Sequence, residues 1–434
     1  MLNGYKASIY NVVTNHGEKY LLFNTKSLSL MEIKKEYHDE IIEDNYDFVE
    51  KLDNPIISCL IENEFIIESD IDEMFLLKEL YNDHKKNSKV LYLSVMLTFD
   101  CNFRCTYCFE KQRDVHISQD IQDSVIELIK KKIDKYDAIF LDWYGGEPLL
   151  DLNIMENMSE KIISLCRENN VEYQASITTN GFLLDEEVCK RLKAIHVESA
   201  QITLDGPQTI HDQRRHLISK GGTFDIIVKN IKNMKEIIKP FIRINVDKTN
   251  LDSLDELLLY FAQENMKDIE ISIKAVVSSE SNPVDDDVID DISFSNILIE
   301  KAKLVRKLGL KDSILHNFEN FDPKFCIVDL DSQFIVTPEG NIYKCGESYE
   351  DGDMGCVGLL KDDGNLDIER EKRAIWDKDP FSDKECLECV IFPLCMGGCQ
   401  MKKVVKKKDW CAGVIKNNLS DLIGLYYEDN YQNL

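Results

Sequence analysis

The chain has 434 residues, with 79 acidic against 52 basic side chains and a formal charge of −27. That length exceeds one ordinary domain, and 44% hydrophobic residues is enough for real cores, so two or three folded domains are expected. The charge argues against nonspecific binding to nucleic acid or an anionic membrane. No apolar run reaches the roughly 18 residues of a transmembrane helix, and the start lacks a basic-then-apolar signal, so a cytoplasmic protein is expected.

In chain order, residues 1–92 form a first region. Ala7–Val13 and Lys19–Asn24 read as two strands around the turn residues Asn15-His16-Gly17. Helical patterns follow near 46–52 and 55–62, then a strand at Phe65-Ile66-Ile67 and a charged helix over 70–84. This mixture predicts a winged-helix-like α+β domain.

Residues 93–310 alternate strand and helix. Strands are expected at Leu91–Leu97, Ala138–Trp143, Tyr173–Thr178, Ser199–Thr203, Phe241–Val246 and Ile269–Ala275. Helices are expected between them, at Ser118–Ile133, Met155–Glu168, Asp185–Ala194 and Phe224–Ile238. This alternation predicts a parallel α/β sheet or barrel, with fewer repeats than a full barrel. The acidic stretch Pro283–Asp291 reads as a boundary or an exposed insertion. Over 311–434 the periodicity weakens, and cysteines, glycines and short strands such as Gln333–Val336 take over.

Fourteen cysteines are the informative count. Three fall in 101–108 and five in 386–411. Such clustering in an acidic, cytoplasmic protein points to metal rather than disulfides. Cys59, Cys166 and Cys189 lie apart, in helical patterns, and read as structural. Cys101, Cys105 and Cys108 follow the first strand of the alternating region with spacing CxxxCxxC. Three thiolates on one loop can hold three irons of a cubane and leave the fourth open to a ligand. A three-cysteine zinc site is the competing reading.

CxxxCxxC after the first strand of an α/β domain resembles the radical S-adenosylmethionine (SAM) superfamily, with Tyr107 as the aromatic before the last cysteine. The resemblance implies a partial (β/α)6 TIM-like barrel and SAM chelating the open iron. It also implies reductive cleavage of SAM to a 5′-deoxyadenosyl radical that takes hydrogen from substrate. Gly145-Gly146-Glu147-Pro148 is similar to the family's GGEP motif, which receives the SAM amino group. Thr179-Asn180-Gly181 is similar to its TNG segment. Leu204-Asp205-Gly206-Pro207 with His211-Asp212 and Arg214-Arg215 resembles a stretch of the peptide-modifying subgroup. All lie at C-terminal strand ends, where barrels place their sites. Arg243 and Asn245 on the fifth strand are further candidates; a strand with one polar face is the plain alternative.

Cys326-x13-Gly340-x4-Cys345 and Cys386-x2-Cys389-x5-Cys395-x3-Cys399, then Cys411, complete the pattern. Their spacing resembles the SPASM extension, a domain holding two auxiliary 4Fe–4S clusters. By that resemblance Cys386, Cys389, Cys395 and Cys411 hold an outer cluster and Cys326, Cys345 and Cys399 an inner one. Cys356 is the nearest spare for the missing inner ligand, with a small core side chain as its other reading. Zinc ribbons also use CxxC pairs.

The resemblance implies three 4Fe–4S clusters, SAM, and an electron donor such as flavodoxin or ferredoxin. Sulfatase maturases follow the inner-cluster cysteine directly with an aspartate base; here Gly346 follows Cys345. Peptide maturases often carry a leading winged-helix domain that binds the precursor's leader as an added strand. The expected function is therefore maturation of a ribosomally made peptide, as a thioether or other side-chain crosslink. A protein maturase of the sulfatase type and a noncatalytic metal-stabilised peptide-binding protein are the alternatives, and a capping or dimerising role is the alternative for 1–92. No catalytic base is assigned. Lys402, Lys403, Lys406, Lys407 and Lys408 read as a solvated helix face, or as a lure for an acidic peptide.

Overall fold

The computed structural model describes residues 4–42, 53–279, 282–312, 325–349, 355–377, 379–404 and 413–431. The leading region opens with β1 (Tyr5–Ala7), β2 (Asn11–His16), β3 (Lys19–Asn24) and β4 (Leu30–Ile33), and later supplies β5 (Ile66–Glu68). β2, β3 and β4 form an antiparallel meander, and β1 pairs with β5. Gly17 opens the two-residue β2–β3 loop at φ +57°, where a tight hairpin needs glycine. Successive strand side chains face opposite ways. Leu22 therefore packs on Ile41, Leu60, Phe65 and Ile66. Leu21 and Phe23 instead meet Ile423 and Tyr427 of the C-terminal helix Gly413–Tyr431. The helix expected at 55–62 is Asn54–Glu62 and the charged one is Glu73–Asn87, capped by Asp72. The pattern near 46–52 lies outside the described residues. β4 and the helix Lys35–Ile42 were not foreseen.

The six expected core strands all form: β6 (Val90–Met96), then, after the short β7 (Phe103–Cys105), β8 (Ala138–Tyr144), β9 (Glu172–Thr179) and β10 (Val197–Thr203). After β11 (Arg215–Leu217) come β12 (Lys239–Val246), β13 (Glu270–Ala275), β14 (Lys311–Asp312), β15 (Gln333–Val336), β16 (Asn341–Tyr343), β17 (Cys356–Leu360) and β18 (Leu366–Ile368). Their order is β14-β13-β12-β10-β9-β8-β6-β15-β16-β17-β18, parallel from β14 to β15 and antiparallel beyond. The sheet thus runs on through residues 310 and 311. It is also curved. Ala275 on β13 and Ile335 on β15 line one cavity of about 530 Å³, yet six strand spacings of a flat sheet would part them by about 29 Å. This is the mostly parallel α/β architecture expected of the partial barrel.

Alternation decides what faces where. Leu91, Leu93, Val95, Ile242, Ile244 and Val246 point outward into the helical layer and are buried. Ser94, Asp142, Gln201, Thr203, Arg243 and Asn245 point inward and line the cavity. Cys166 and Cys189 sit in the outer apolar layer, while Cys59 is exposed. The acidic stretch 283–291 ends as a cap: Asp290 accepts from Ile292 and Ser293 N–H at 3.1 and 2.9 Å at the start of helix Asp291–Lys307.

Candidate active site

The Cys101 loop leaves the C-terminal end of β6 and is pinned from three sides. β7 pairs with β11, placing Cys105 opposite Arg215. Asn282 Nδ2 donates to the carbonyls of Thr106 and Cys108 at 2.9 and 3.2 Å. Asn180 Nδ2 donates to Asn102 Oδ1 at 2.7 Å. Cys101, Cys105 and Cys108 converge on the cavity. Burial pushes the Cys108 thiol up to about 12, and raises Cys101 and Cys105 as well. Metal coordination reverses that preference by deprotonating a thiol outright. One buried and two half-buried soft donors, with no cation bonded to them among the described residues, fit an iron–sulfur cluster.

Gly145 and Gly146 follow β8 at φ +87° and +43°. A Cβ at Gly146 would lie 2.0 Å from the Asp100 carbonyl oxygen, so only glycine lets this turn touch the cysteine loop. Both glycines line the cavity; Glu147 and Pro148 do not. The Glu147 carboxylate is fully buried and turned into the protein. It accepts from Leu149 N at 3.0 Å, Thr179 Oγ1 at 2.7 Å and Asn180 N at 2.8 Å. This places the acid as a clamp between the ends of β8 and β9, with Thr179 and Asn180 lining the cavity above it.

Tyr107 is the centre of a buried polar network. Its hydroxyl donates to Asp205 and accepts from Arg215 Nη1 at 2.7 Å and Asn245 Nδ2 at 3.1 Å. Burial raises the pKa of both Tyr107 and Asp205. Asp205 also accepts from Asn245 N at 2.9 Å, and Arg243 Nε donates to Asn245 Oδ1 at 2.8 Å. Arg215 is 8% exposed, and its Nε has no hydrogen-bond partner among the described residues. A buried, orphaned donor on the cavity wall fits an anionic group such as a cluster or a carboxylate. Arg214 is committed elsewhere, to Asp247 at 2.8 and 2.9 Å.

The second cysteine set divides. Cys326, Cys345 and Cys399 line the same cavity as the Cys101 set. Burial raises all three thiols, and Glu347 stands close enough to act on each. Cys386 and Cys389 instead pack beside Tyr81, Phe381 and Phe392, and Cys395 closes the helix Phe392–Cys395. Met396, Gly397 and Gly398 all take positive φ, a reversal that separates Cys395 from Cys399. Cys356 lines neither the cavity nor the cluster around Cys386 and Cys389, and lies opposite Tyr343, two residues before Cys345. It begins β17 and packs with Phe99, Ile335, Tyr343 and Tyr349. Cys411 and Lys406, Lys407 and Lys408 lie outside the described residues; Lys402 pairs with Asp291 at 2.7 Å.

Sequence reasoning missed four charged cavity residues: Glu110, Asp142, Lys344 and Glu347. Glu110 accepts from Gly146 N at 2.7 Å. Lys344, beside Cys345, is buried and donates to the carbonyls of Leu330 and Gln333 at 2.6 and 2.8 Å. A charged residue inside an otherwise apolar strand was the available signal for Asp142.

The Radical SAM superfamily model matches residues 95–261. A cysteine-type anaerobic sulfatase-maturating enzyme of Clostridium novyi is 23% identical over 77% of this chain and 93% of its own length. Radical SAM cyclopropyl synthase TigE of Paramaledivibacter caminithermalis is 22% identical over 90% of this chain and 88% of its own. Among solved structures, anSMEcpe with bound AdoMet and Cp18Cys peptide superposes with a TM-score of 0.61 at 19% identity, over 78% of this chain and all of that one. Streptococcus suis SuiB bound to S-adenosylmethionine gives 0.51 at 15% identity, over 91% and 95%. These two likenesses establish the fold. With the cysteine triad, the glycine pair and the parallel sheet, the match identifies residues 95–261 as a radical SAM domain.

Proposed function

We propose that this enzyme matures a ribosomally made peptide, forming a thioether or another side-chain crosslink. The observation that carries the reading is one cavity lined by Cys101, Cys105 and Cys108 and also by Cys326, Cys345 and Cys399. In this reading residues 93–310 are the SAM core and 311–434 carry two auxiliary 4Fe–4S clusters. Cys326, Cys345 and Cys399 serve the inner one, and Cys386, Cys389, Cys395 and Cys411 the outer one. Gly145, Gly146, Thr179, Asn180 and Arg243 line the SAM pocket, while Glu147, Tyr107 and Asp205 hold its walls. Bound SAM supplies hydrogen-atom abstraction; the chain's own residues orient the substrate and exclude water. The electron comes from a flavodoxin or ferredoxin, and the setting is the cytoplasm.

A peptide substrate is favoured over a folded sulfatase by the leading region. The sulfatase-maturase relative covers 77% of this chain, whereas TigE covers 90% and so takes in part of 1–92. We assign that region to leader binding by strand addition. β3 is the middle strand of its sheet, so the edges on offer are β2 and β4. The test is anaerobic incubation with SAM, reductant and each short precursor encoded beside the gene, read by mass spectrometry. A mass loss of two hydrogens in the peptide, with stoichiometric 5′-deoxyadenosine, is expected; modification of a folded sulfatase alone rejects the reading.

A further inference from the structure

Asp142 lies on β8 with its side chain on the inward face. Its register partner on β6 is Ser94, and Ser94 pairs with Ile335 on β15. All three line the cavity. Asp142 is two residues before Tyr144, so it sits about 7 Å further down the strand, away from the glycine pair. At that depth only β6 separates it from the β15–β16 hairpin that leads to Cys345, and it shares the cavity wall with both cysteine groups.

The carboxylate is only half satisfied. Ser176 Oγ donates to Oδ1 at 2.7 Å, and Oδ2 has no hydrogen-bond partner among the described residues. Among the described residues no cation compensates it. Burial alone raises its pKa, to about 6, and only the Ser176 hydrogen bond opposes. Of the cavity's cations, Arg243 bonds Asn245, Lys344 bonds two carbonyls and Arg215 bonds the Tyr107 hydroxyl, and none of them bonds Asp142. Asp142 is half-buried on the cavity wall, so a carboxylate there with no counter-charge becomes costly once a bound substrate displaces its water, unless that ligand brings a charge. A neutral donor would fill Oδ2 but leave the charge; an ammonium or guanidinium does both.

We propose that Asp142 is a recognition site for a cationic side chain, the amine of a lysine or the guanidinium of an arginine, in the segment being modified. The site holds that residue in the cavity that both cysteine groups line. This rests on the peptide reading above. SAM also carries cationic groups, so its binding must be read separately.

The test is a ligand-observed NMR titration of the anaerobically reconstituted full chain with SAM present. The probes are N-acetyl-lysine methylamide and its neutral counterpart N-acetyl-norleucine methylamide. The lysine probe is expected to bind at least about tenfold tighter, and Asp142→Asn to reduce that preference to less than about threefold. SAM affinity, by equilibrium dialysis, stays within about twofold of wild type under the same charge-pair argument. Equal binding of the two probes to wild type overturns the proposal, as does an intact preference in Asp142→Asn. A tenfold loss of SAM affinity also overturns it and assigns the carboxylate to SAM. Should the variant take up no iron, wild type alone decides, with Nε-acetyl-lysine methylamide as the third probe. Removing the amine's charge on the full-length side chain must abolish the preference, and a retained preference refutes the site. No leader or modified peptide enters this readout. Absence of peptide modification therefore leaves it standing, and equal probe binding leaves peptide maturation standing.

Discussion

Arg215 lies opposite Cys105 in the β7–β11 pair, and its guanidinium donates to the Tyr107 hydroxyl at 2.7 Å. The aromatic of the cysteine motif is therefore held by a side chain that follows β10, across the barrel mouth. Arg214 adds its guanidinium 4.8 Å from the Tyr107 ring centroid. The loop is positioned by this network as much as by its own sequence. Replacing Arg215 with Met removes a donor from Tyr107 and a compensating charge from Asp205. Loss of roughly 1–3 kcal/mol of stability is expected, with at least about tenfold slower 5′-deoxyadenosine formation. Arg215→Lys should recover only part, since an ammonium lacks the planar fork. Urea denaturation and chromatography of 5′-deoxyadenosine check this; wild-type values in Arg215→Met would reject the positioning role.

Glu147 gives a second prediction, because the structure places its carboxylate inside the protein rather than on the cavity. A purely SAM-binding acid would lower SAM affinity when changed to Gln and leave stability alone. A clamp with three donors aimed at it must do the reverse in part. Glu147→Gln turns an amide N–H toward one of those donors, so about 1–3 kcal/mol of stability should be lost. Thermal unfolding of the reconstituted protein measures it.

The cysteine assignments make a third. Cys101, Cys105 and Cys108 changed together to Ala should abolish SAM cleavage and remove about four irons, the content of one cubane. Cys326, Cys345 and Cys399 share the cavity but sit on other segments, so the remaining iron should stay bound. Persistent 5′-deoxyadenosine in the triple variant would defeat the assignment. Cys356→Ala should leave iron content unchanged, since its side chain packs with Phe99, Tyr343 and Tyr349 and does not line the cavity that Cys326, Cys345 and Cys399 share.

Asp142 also carries a pH signature. Its pKa is raised in the fold to about 6, above the usual carboxylate value. A raised acid stabilises the fold while protonated, below its unfolded pKa, and that contribution is lost as pH rises through the folded value. Asp142→Asn cannot ionise and escapes the loss. The stability advantage of the variant over wild type should therefore grow by about 1 kcal/mol between pH 5.5 and 7, then flatten. Paired thermal scans across that range test it, and a constant difference would show that Asp142 does not titrate there.

Much of this was legible in the sequence, for definite reasons. The core strands are buried on both sides or half-polar, so runs such as Leu91–Leu97 and Phe241–Val246 announce themselves. The cysteines are legible because metal chemistry fixes their spacing. What stayed hidden is long-range. Nothing local says that Asn282 reaches back to Thr106 and Cys108, or that Glu147 turns inward. Asp142 could be seen as an odd residue in a strand, but its face depends on register, which only the assembled sheet sets. β4 was missed because Leu30-Met31-Glu32-Ile33 is short and lies just after a turn-rich stretch. The docking of helix Gly413–Tyr431 on the leading sheet joins the two ends of the chain, and no periodicity encodes that.

That docking governs how leader recognition must be tested. Deleting the leading region would strip Leu21 and Phe23 from Ile423 and Tyr427, and Tyr10, Leu77 and Tyr81 from Phe381 and Phe392. The second group abuts Cys386 and Cys389, so a truncated chain should lose iron for reasons unrelated to leader binding. A point change at the sheet edge avoids this. Asn24 N donates to Ser29 O at 2.9 Å, and by antiparallel alternation Met31 and Ile33 then bond to β3 while Leu30 and Glu32 turn their N–H groups outward. Glu32→Pro removes one outward donor, keeps the β3–β4 ladder, and gives up only side-chain contacts with Lys19 and Tyr427. If a leader adds to β4 as a strand, this variant should weaken its binding by about tenfold, the scale of one lost backbone hydrogen bond with its neighbours disturbed. Iron content and uncoupled SAM cleavage should stay at wild-type levels. The measurement is fluorescence anisotropy of a labelled leader against both proteins. Equal affinities would exclude β4 and move the question to β2, where the same alternation leaves the Val13 N–H outward and the matching change is Val13→Pro. Equal affinities there too would leave the leading region as a cap over the outer cysteines.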